Sequence, residues 1–538
     1  MQVHEWIDNI SRFNPPVKKQ WMQIYGEDAE LLADRQKAYL TLITAFGKQF
    51  GYDRELVMTR SPSRINLKGV HIEHRGGFVN YLTHRREILV AASPRNDDKV
   101  VLYNLRSNLF PPREFFIQEE LKKGNGKDWG EYISADAVVQ TVCAEQGDWM
   151  NYVKAAILRL QSHFPTKLLS GMDLYVNGDI PLAAGLSSSS ALVVAIAYAA
   201  LVINKLEIDK FALVELCGQA EWYVGTRGGA GDHAAMILGK QNQLAHIQFF
   251  PLQVQYYSFP KGYRVVICNS MKEASKSNEV KNIFNSRVVS YELGFLLIKK
   301  QFPRYASKLE HLRDVNTTQL AIPETEIYRI LKTLPEKVNR AEAYRLLPEK
   351  KEYLDKLYTS HDEPEEEYWL RDICLFGLAE CERGKLCVDL LAKKDVQEFG
   401  KMMYLSHDGD RVVQYDEKNN KTSWNNYVTV DQLDQLIADL DSSIPTRVNR
   451  AHLHLQSGGY RCSCELLDFL VDTAKRVPGV VGAGLTGAGL GGCILVLVDE
   501  KRVDQLLTTI QKKYYTPHQL SFGAEICVSV SGAGMVSL

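Results

Sequence analysis

The sequence predicts a fold of mixed helices and strands divided into more than one domain, and three observations lead there. The chain has 538 residues, a length that divides into two to four domains of ordinary size. Helical periodicity runs through Ala29–Phe50, where Leu31, Leu32, Ala38, Leu40, Leu42, Ile43 and Phe46 recur at the spacing of one helix face. A strand-like run, Leu169–Asn177, leads through a loop of small residues into an apolar, alanine-rich segment, Leu192–Ile203, that reads as a helix.

That loop, Pro181-Leu-Ala-Ala-Gly185-Leu-Ser-Ser-Ser-Ser190-Ala-Leu192, organises the rest. A strand, a small-residue loop and a helix start cradle phosphate, because loop N–H groups point inward and the first helical turn has unpaired donors at its positive end. Gly185 lets the backbone approach an anion closely. Ser187, Ser188, Ser189 and Ser190 offer hydroxyls to phosphate oxygens or to Mg²⁺. The loop has neither the G-K-[ST] of a Walker motif nor the G-x-G-x-x-G of a dinucleotide turn. A serine-rich linker would not stand between two strongly apolar segments.

Composition excludes several classes. Lys and Arg number 64 against 65 Asp and Glu, for a net charge of −1, and no long basic run occurs, so neither nucleic acid nor a membrane surface is an expected partner. The start, Met1–Asp8, lacks a basic stretch followed by an apolar one. The apolar run at Ala191–Ile203 falls short of the ~20 residues that span a bilayer. The ten cysteines include Cys462-x-Cys464, Cys381 and Cys387, without partners at zinc spacing; thiols of a cytoplasmic protein are expected.

In chain order, residues 1–56 form a helical lead-in ending at the turn Gly51-Tyr52-Asp53. A short strand from Met58 then gives way to a polar loop holding Arg64, Asn66, His71, Glu73, His74 and Arg75, turned back by Gly76-Gly77. So many hydrogen-bonding side chains beside tight-turn glycines suit a ligand loop. Residues 80–150 alternate strand-like and polar stretches, and Trp149–Lys154 starts a helix. Lys210–Val224 reads as an amphipathic helix with Leu213, Leu216, Cys217 and Ala220 on one face. Glu221 near its end opposes the helix dipole, which favours a cation partner. A glycine-rich turn, Gly225-Thr-Arg227-Gly-Gly-Ala-Gly231-Asp232-His233, follows. A second domain begins at Tyr263 with a strand to Ser270, and Phe284-Asn-Ser-Arg-Val288 opens a helix. Residues 300–400 look mainly helical, with Asp362–Glu367 an exposed turn. Six glycines between Gly482 and Gly492, ahead of a strand at Ile494–Val498, imply a backbone packed close to another loop or to a phosphate.

Three of these stretches, in order, resemble the motifs of the GHMP kinases, and of the galactokinase family among them. The serine loop resembles the P-x-x-x-G-L-x-S-S-[SA] of the superfamily. Ser63–Gly77 resembles the galactokinase signature, matching at Arg64, Asn66, Leu67, Gly69, His71, Gly76 and Gly77, with Val70 in place of its Glu, Glu73 of its Asp, His74 of its Tyr and Arg75 of its last Asn. Gly482–Cys493 resembles the third motif. Trp149–Lys154 and Ser406-His407 also match family stretches. The glycine-rich turn and Tyr460–Asp468 resemble those of N-acetylgalactosamine kinase too, with His233 where those proteins have Gln. Residues 409–455 stand out as an insertion.

The resemblance implies an α+β, two-domain fold: the lead-in 1–56, an N-terminal domain 57–260 with a ribosomal-S5-like half, and a C-terminal domain 261–538. It implies an ATP- and Mg²⁺-dependent kinase acting on the anomeric hydroxyl of a sugar, as monomer or homodimer. By resemblance, Gly185, Leu186, Ser187, Ser188, Ser189, Ser190 and Ala191 hold ATP, and Ser189 and Glu221 hold Mg²⁺. Asp232 orients or deprotonates the sugar hydroxyl, and Arg64 neutralises phosphate charge and keeps Asp232 ionised. Val70, His71, Glu73, Gly231 and Phe284 complete the sugar site with Arg64 and Asp232. Galactose is the expected substrate. Val70 cannot hydrogen-bond where the family reaches the 6-hydroxyl, and Arg75 and Arg227 add positive charge, so galacturonate, L-arabinose and N-acetylgalactosamine stay open. So does a non-catalytic sugar sensor.

Overall fold

A computed structural model describes residues 1–124, 128–226, 228–273 and 278–537. Arg227, expected beside the sugar loops, lies outside the described residues.

The architecture is α+β. An eight-stranded sheet runs in the order Gly534–Val536, Val57–Lys68, Val79–Pro94, Met172–Gly178, Lys99–Asn104, Arg113–Phe116, with Gln243–Gln248 and Gln253–Ser258 continuing from the start of the third strand. Every pairing is antiparallel except that of Lys99–Asn104 with Met172–Gly178. Side chains alternate across this sheet as the period of two requires. Val90 and Ala92 enter the core shared with the helices Met150–His163 and Ser188–Ile203. Leu89 and Ala91 face the other way, into a cluster with Trp21, Tyr39, Leu42 and Phe46 of the lead-in.

The lead-in is three helices, Val3–Arg12, Pro15–Tyr25 and Ala29–Phe50. The third is capped by Asp28, whose carboxylate accepts the amides of Glu30 and Leu31. Arg35 of that helix and Arg60 of the sheet share the buried Glu87, at 3.2 and 2.6 Å. The lead-in is thereby fastened to the strand that carries Arg64.

A second, antiparallel sheet orders Val480–Leu485, Cys493–Asp499, Tyr263–Asn269 and Ala524–Ile526. Helices Glu465–Lys475 and Val503–Ile510 share its core. A largely helical body containing Asn278–Gln301, Glu324–Lys332 and Arg371–Ala392 packs around its own core. The chain then returns: Gly534–Val536 pairs with Met58–Arg60 in the first sheet.

Residues 409–455 form a hairpin, Val413–Tyr415 with Lys421–Ser423, and the helices Val430–Leu440 and Pro445–Ala451. They are tied to the helical body. The Val428 amide donates to Asp372 at 2.8 Å, and Arg371 donates to the Val428 carbonyl at 3.1 Å. Among the described residues no helix is long and apolar enough to cross a membrane.

Candidate functional site

The site begins on the strand Val57–Lys68, which delivers Arg64 to the N-terminus of the helix Gly231–Leu238. Arg64 donates from Nε to Asp232 Oδ1 at 2.7 Å and from Nη2 to Oδ2 at 2.6 Å. Its Nη1 donates to the Gly185 carbonyl at 2.6 Å. The guanidinium fork matches a carboxylate in this bidentate way, and an ammonium does not. Burial disfavours the charge on Arg64, but the charge and hydrogen bonds of Asp232 outweigh it and raise the guanidinium above its ordinary value. The Asp232 side chain stays 27% exposed, so the carboxylate is held from one side and open on another.

A chain of polar contacts continues from Asp232. Ser187 Oγ donates to Asp232 Oδ2 at 2.5 Å and lies 2.9 Å from Ser190 Oγ. Ser190 donates to Glu221 Oε1 at 2.7 Å. His233 Nε2 stands 3.6 Å from that same oxygen. The serines do not merely precede the helix. Ser188, Ser189 and Ser190 are its first turn, with Ser187 as its cap, so their hydroxyls gather at the positive helix end. Ser187 has φ 60° and ψ 55°, a left-handed conformation that costs a non-glycine residue about 1–3 kcal/mol and clusters at ligand sites.

The third motif braces this loop backbone to backbone. Gly185 has φ +74°, and a Cβ there would stand 2.7 Å from the Thr486 carbonyl oxygen. Gly492, at φ +83°, faces the Ala184 carbonyl carbon at the same 2.7 Å. Any side chain at either position would force the loops apart.

The first motif divides between two surroundings. Glu73 lies against the glycine-rich turn: a Cβ on Gly229 would stand 2.6 Å from its Cγ, and one on Gly231 2.7 Å from the Tyr81 hydroxyl. Burial pushes the Glu73 carboxyl up, but His74 outweighs it, and the net shift is downward. Val70 and His71 turn instead toward the C-terminal helical body. The Gly69 and Val70 amides donate to Glu380 at 2.8 and 3.2 Å, and Glu380 is itself paired with fully buried Arg383 at 2.6 Å. His71 stacks on Tyr460, centroids 4.3 Å apart, and presents Nε2 to Asp410 Oδ2 at 3.5 Å. That is an ion-pair separation, too long for a well-formed hydrogen bond. Burial lowers the His71 pKa, but Asp410 more than restores it, and the net shift is upward.

A water-sized cavity adjoins this pair, lined by Val70, Lys68, Ser406, His407 and Asp410 among others. The Val70 side chain therefore lines a cavity with Asp410. Arg75 is committed elsewhere, to Glu292 at 2.5 Å. Phe284 is half-buried on the helix Asn278–Gln301.

The structure thus brings together Arg64, Gly185, Ser187, Ser190, Glu221, Gly231, Asp232 and Glu73. Ser188, Ser189 and Ala191 belong to the same helix start, and Leu186 beside it is buried. Ser190 donates a hydrogen bond to Glu221, and Ser189, expected on the metal side with Glu221, precedes it in the same helix turn. Sequence reasoning missed Asp410, Glu380 and the buried approach of His233. A carboxylate in the apolar run Ala379-Glu380-Cys381, three residues before Arg383, was a local signal; for Asp410 there was none. Among the described residues no three His, Cys, Asp or Glu side chains are grouped to hold a metal ion. Glu221 and the serine hydroxyls offer oxygen donors, the type that suits Mg²⁺, an ion that takes few protein ligands and completes its shell with phosphates and water.

Residues 151–240 match the model of the GHMP kinases N terminal domain, residues 434–516 that of the GHMP kinases C terminal, and residues 44–94 the galactokinase galactose-binding signature. The galactokinase of Dictyostelium discoideum is 27% identical over 489 residues, 90% of this chain and 89% of that protein. The galactokinase of Roseiflexus sp. (strain RS-1) is 25% identical over 483 residues, 89% of this chain and 93% of that one. In fold the chain is similar to Lactococcus lactis galactokinase, crystallised with galactose, at a TM-score of 0.64 and 21% identity over 93% of this chain and 100% of that one. The chain thus carries, in order, the galactokinase galactose-binding signature and the N- and C-terminal domains of the GHMP kinases, and it is similar to galactokinases along most of its length.

Proposed function

We propose that this kinase transfers the terminal phosphoryl group of ATP to the anomeric hydroxyl of galactose or a close relative, giving the sugar 1-phosphate. One observation carries the reading: Arg64 grips Asp232 with two hydrogen bonds beside a serine-rich helix start. Phosphoryl transfer asks chiefly for positioning and charge neutralisation, and this arrangement offers both.

The loop amides from Gly185 to Ala191 and the hydroxyl of Ser188 face the phosphates, while the Ser187 hydroxyl is held by Asp232. Glu221, Ser189 and Ser190 are the residues that would hold Mg²⁺, which when bound neutralises phosphate charge. Asp232 already accepts three hydrogen bonds, two from Arg64 and one from Ser187. A carboxylate has about four acceptor sites, so one remains, on the exposed side, for the sugar hydroxyl whose proton it receives. Arg64 stays charged throughout and faces both that carboxylate and the loop. Glu73, Gly231, His71 and Phe284 are assigned to the sugar.

Galactose is favoured because the matched signature is the galactose-binding one. A uronic acid loses its main attraction, since Arg75 is neutralised by Glu292. The ten cysteines are free thiols, which suits a cytoplasmic enzyme; we take it to act as a monomer or homodimer. The test is ADP release with ATP and Mg²⁺ across galactose, N-acetylgalactosamine, L-arabinose and galacturonate. Sugar binding without ADP release from any of them would instead support a sensor.

A further inference from the structure

We propose that His233 is a nitrogen ligand of the metal ion that accompanies the nucleotide, and that it shifts the preference of the site from Mg²⁺ toward Mn²⁺. The inference rests on the reading of Glu221 as the carboxylate on the metal side.

His233 follows Asp232 directly, in the first turn of the helix Gly231–Leu238. Its residue surface is 2% exposed. Neither ring nitrogen has a hydrogen-bond partner among the described residues, although a buried imidazole ordinarily satisfies at least one. Its Nε2 stands 3.6 Å from Glu221 Oε1. That is too long for a hydrogen bond, and it leaves the two donors about half an ångström farther apart than the roughly 3.0 Å that separates neighbouring ligands about 2.1 Å from an octahedral ion, a gap that a small side-chain rotation closes. The same Glu221 oxygen accepts from Ser190 at the start of the 16-residue helix Ser188–Ile203. Three elements of the fold therefore converge there: the serine helix start, the end of the Lys210–Ala220 helix, and the helix carrying Asp232 and His233.

The chemistry of the donor decides the preference. Mg²⁺ is a hard cation that takes oxygen ligands. Imidazole nitrogen suits the first-row transition ions, and sites with such a donor bind Mn²⁺ and its successors more tightly. A histidine in this place adds a nitrogen to a shell otherwise made of oxygen.

Pulsed electron paramagnetic resonance on Mn²⁺ tests this without measuring turnover. The full chain is labelled uniformly with ¹⁵N and loaded with Mn²⁺ and an unlabelled, non-hydrolysable ATP analogue, so that a ¹⁵N coupling reports protein nitrogen alone. The wild type is expected to show a directly coordinated ¹⁵N, and His233→Gln to lose it. By calorimetry, the preference for Mn²⁺ over Mg²⁺ with the analogue should fall about tenfold in His233→Gln. If the wild type binds the Mn²⁺–analogue pair without such a coupling, His233 is not a ligand and the inference is overturned while the Glu221 reading stands. If Glu221→Gln binds the pair as tightly as the wild type, the metal-side reading falls and takes the inference with it. An absent coupling in the wild-type spectrum overturns the inference whatever the variants do on folding, and a coupling that persists in His233→Gln overturns it as well.

Discussion

Arg64 and Asp232 are joined by two parallel hydrogen bonds, Nε to Oδ1 at 2.7 Å and Nη2 to Oδ2 at 2.6 Å, while the third nitrogen of Arg64 holds the Gly185 carbonyl. One side chain thus fixes the carboxylate and the serine loop relative to each other. Arg64→Lys keeps the charge but replaces the fork by a point donor that cannot reach all three acceptors. Turnover should fall about 10²–10³-fold with little change in nucleotide affinity. Steady-state kinetics beside nucleotide titration checks it; wild-type turnover in the lysine variant would show that charge alone suffices.

Glu221 and Ser190, joined by a hydrogen bond, are the pair we assign to the metal. Glu221→Gln should weaken binding of Mg²⁺ with a non-hydrolysable ATP analogue about tenfold or more, and Ser190→Ala less, because the hydroxyl supports the carboxylate through one hydrogen bond. Affinity for the sugar should not change. Calorimetric titration of each ligand separates the two; an equal loss for both would mean the loop had collapsed.

His71 and Asp410 form a buried pair, with side chains 2% and 0% exposed. After burial is set against it, Asp410 raises the His71 pKa above the ordinary 6.5. A group whose folded value is raised contributes stability fully below its unfolded value and loses that contribution as pH rises through the folded one. Asp410→Asn should therefore destabilise by up to about 3 kcal/mol in mild acid, and the difference from wild type should shrink as pH rises. Urea unfolding at pH 6 and pH 9 measures it. A difference that is the same at both values would mean the pair carries no charge.

Val70 stands where the family has a glutamate, but here it lines a cavity with Asp410 and is 5% exposed. Val70→Glu would bury a second carboxylate beside that one, with the desolvation and repulsion that follow. The melting temperature should fall, and the ratio of kcat/KM for galactose to that for L-arabinose should stay where it is. A clear rise in that ratio would place position 70 at the sugar.

Local physics made much of this legible in the sequence. The helix Ala29–Phe50 follows from its periodicity and from Asp28 as a cap. The serine loop's place between a strand and an apolar helix follows from its small residues, and the close packing of the third motif from its glycines. Arg64 and Asp232 are 168 residues apart, and no local pattern links them; only the resemblance set them in one site. Contacts made by tertiary packing left no trace. Asp410 meets His71 from the far domain at the end of a helix that otherwise reads as core, and Glu380 grips the Gly69 and Val70 amides from another. The extra turn of helix that brings Ser190 to Glu221 was hidden as well, because serines read as a loop until packing commits them to a helix.

Asp232, held by Arg64, is the residue we propose to direct phosphoryl transfer to the anomeric oxygen of a sugar. The most direct measurement is ³¹P NMR of the reaction with ATP, Mg²⁺ and galactose, run beside Asp232→Asn. The expected result is sugar-dependent consumption of ATP, a product whose phosphorus couples to the anomeric proton, and a rate about 10²-fold or more lower in the variant with nucleotide binding kept. Phosphate on another carbon, or wild-type turnover in Asp232→Asn, would contradict it.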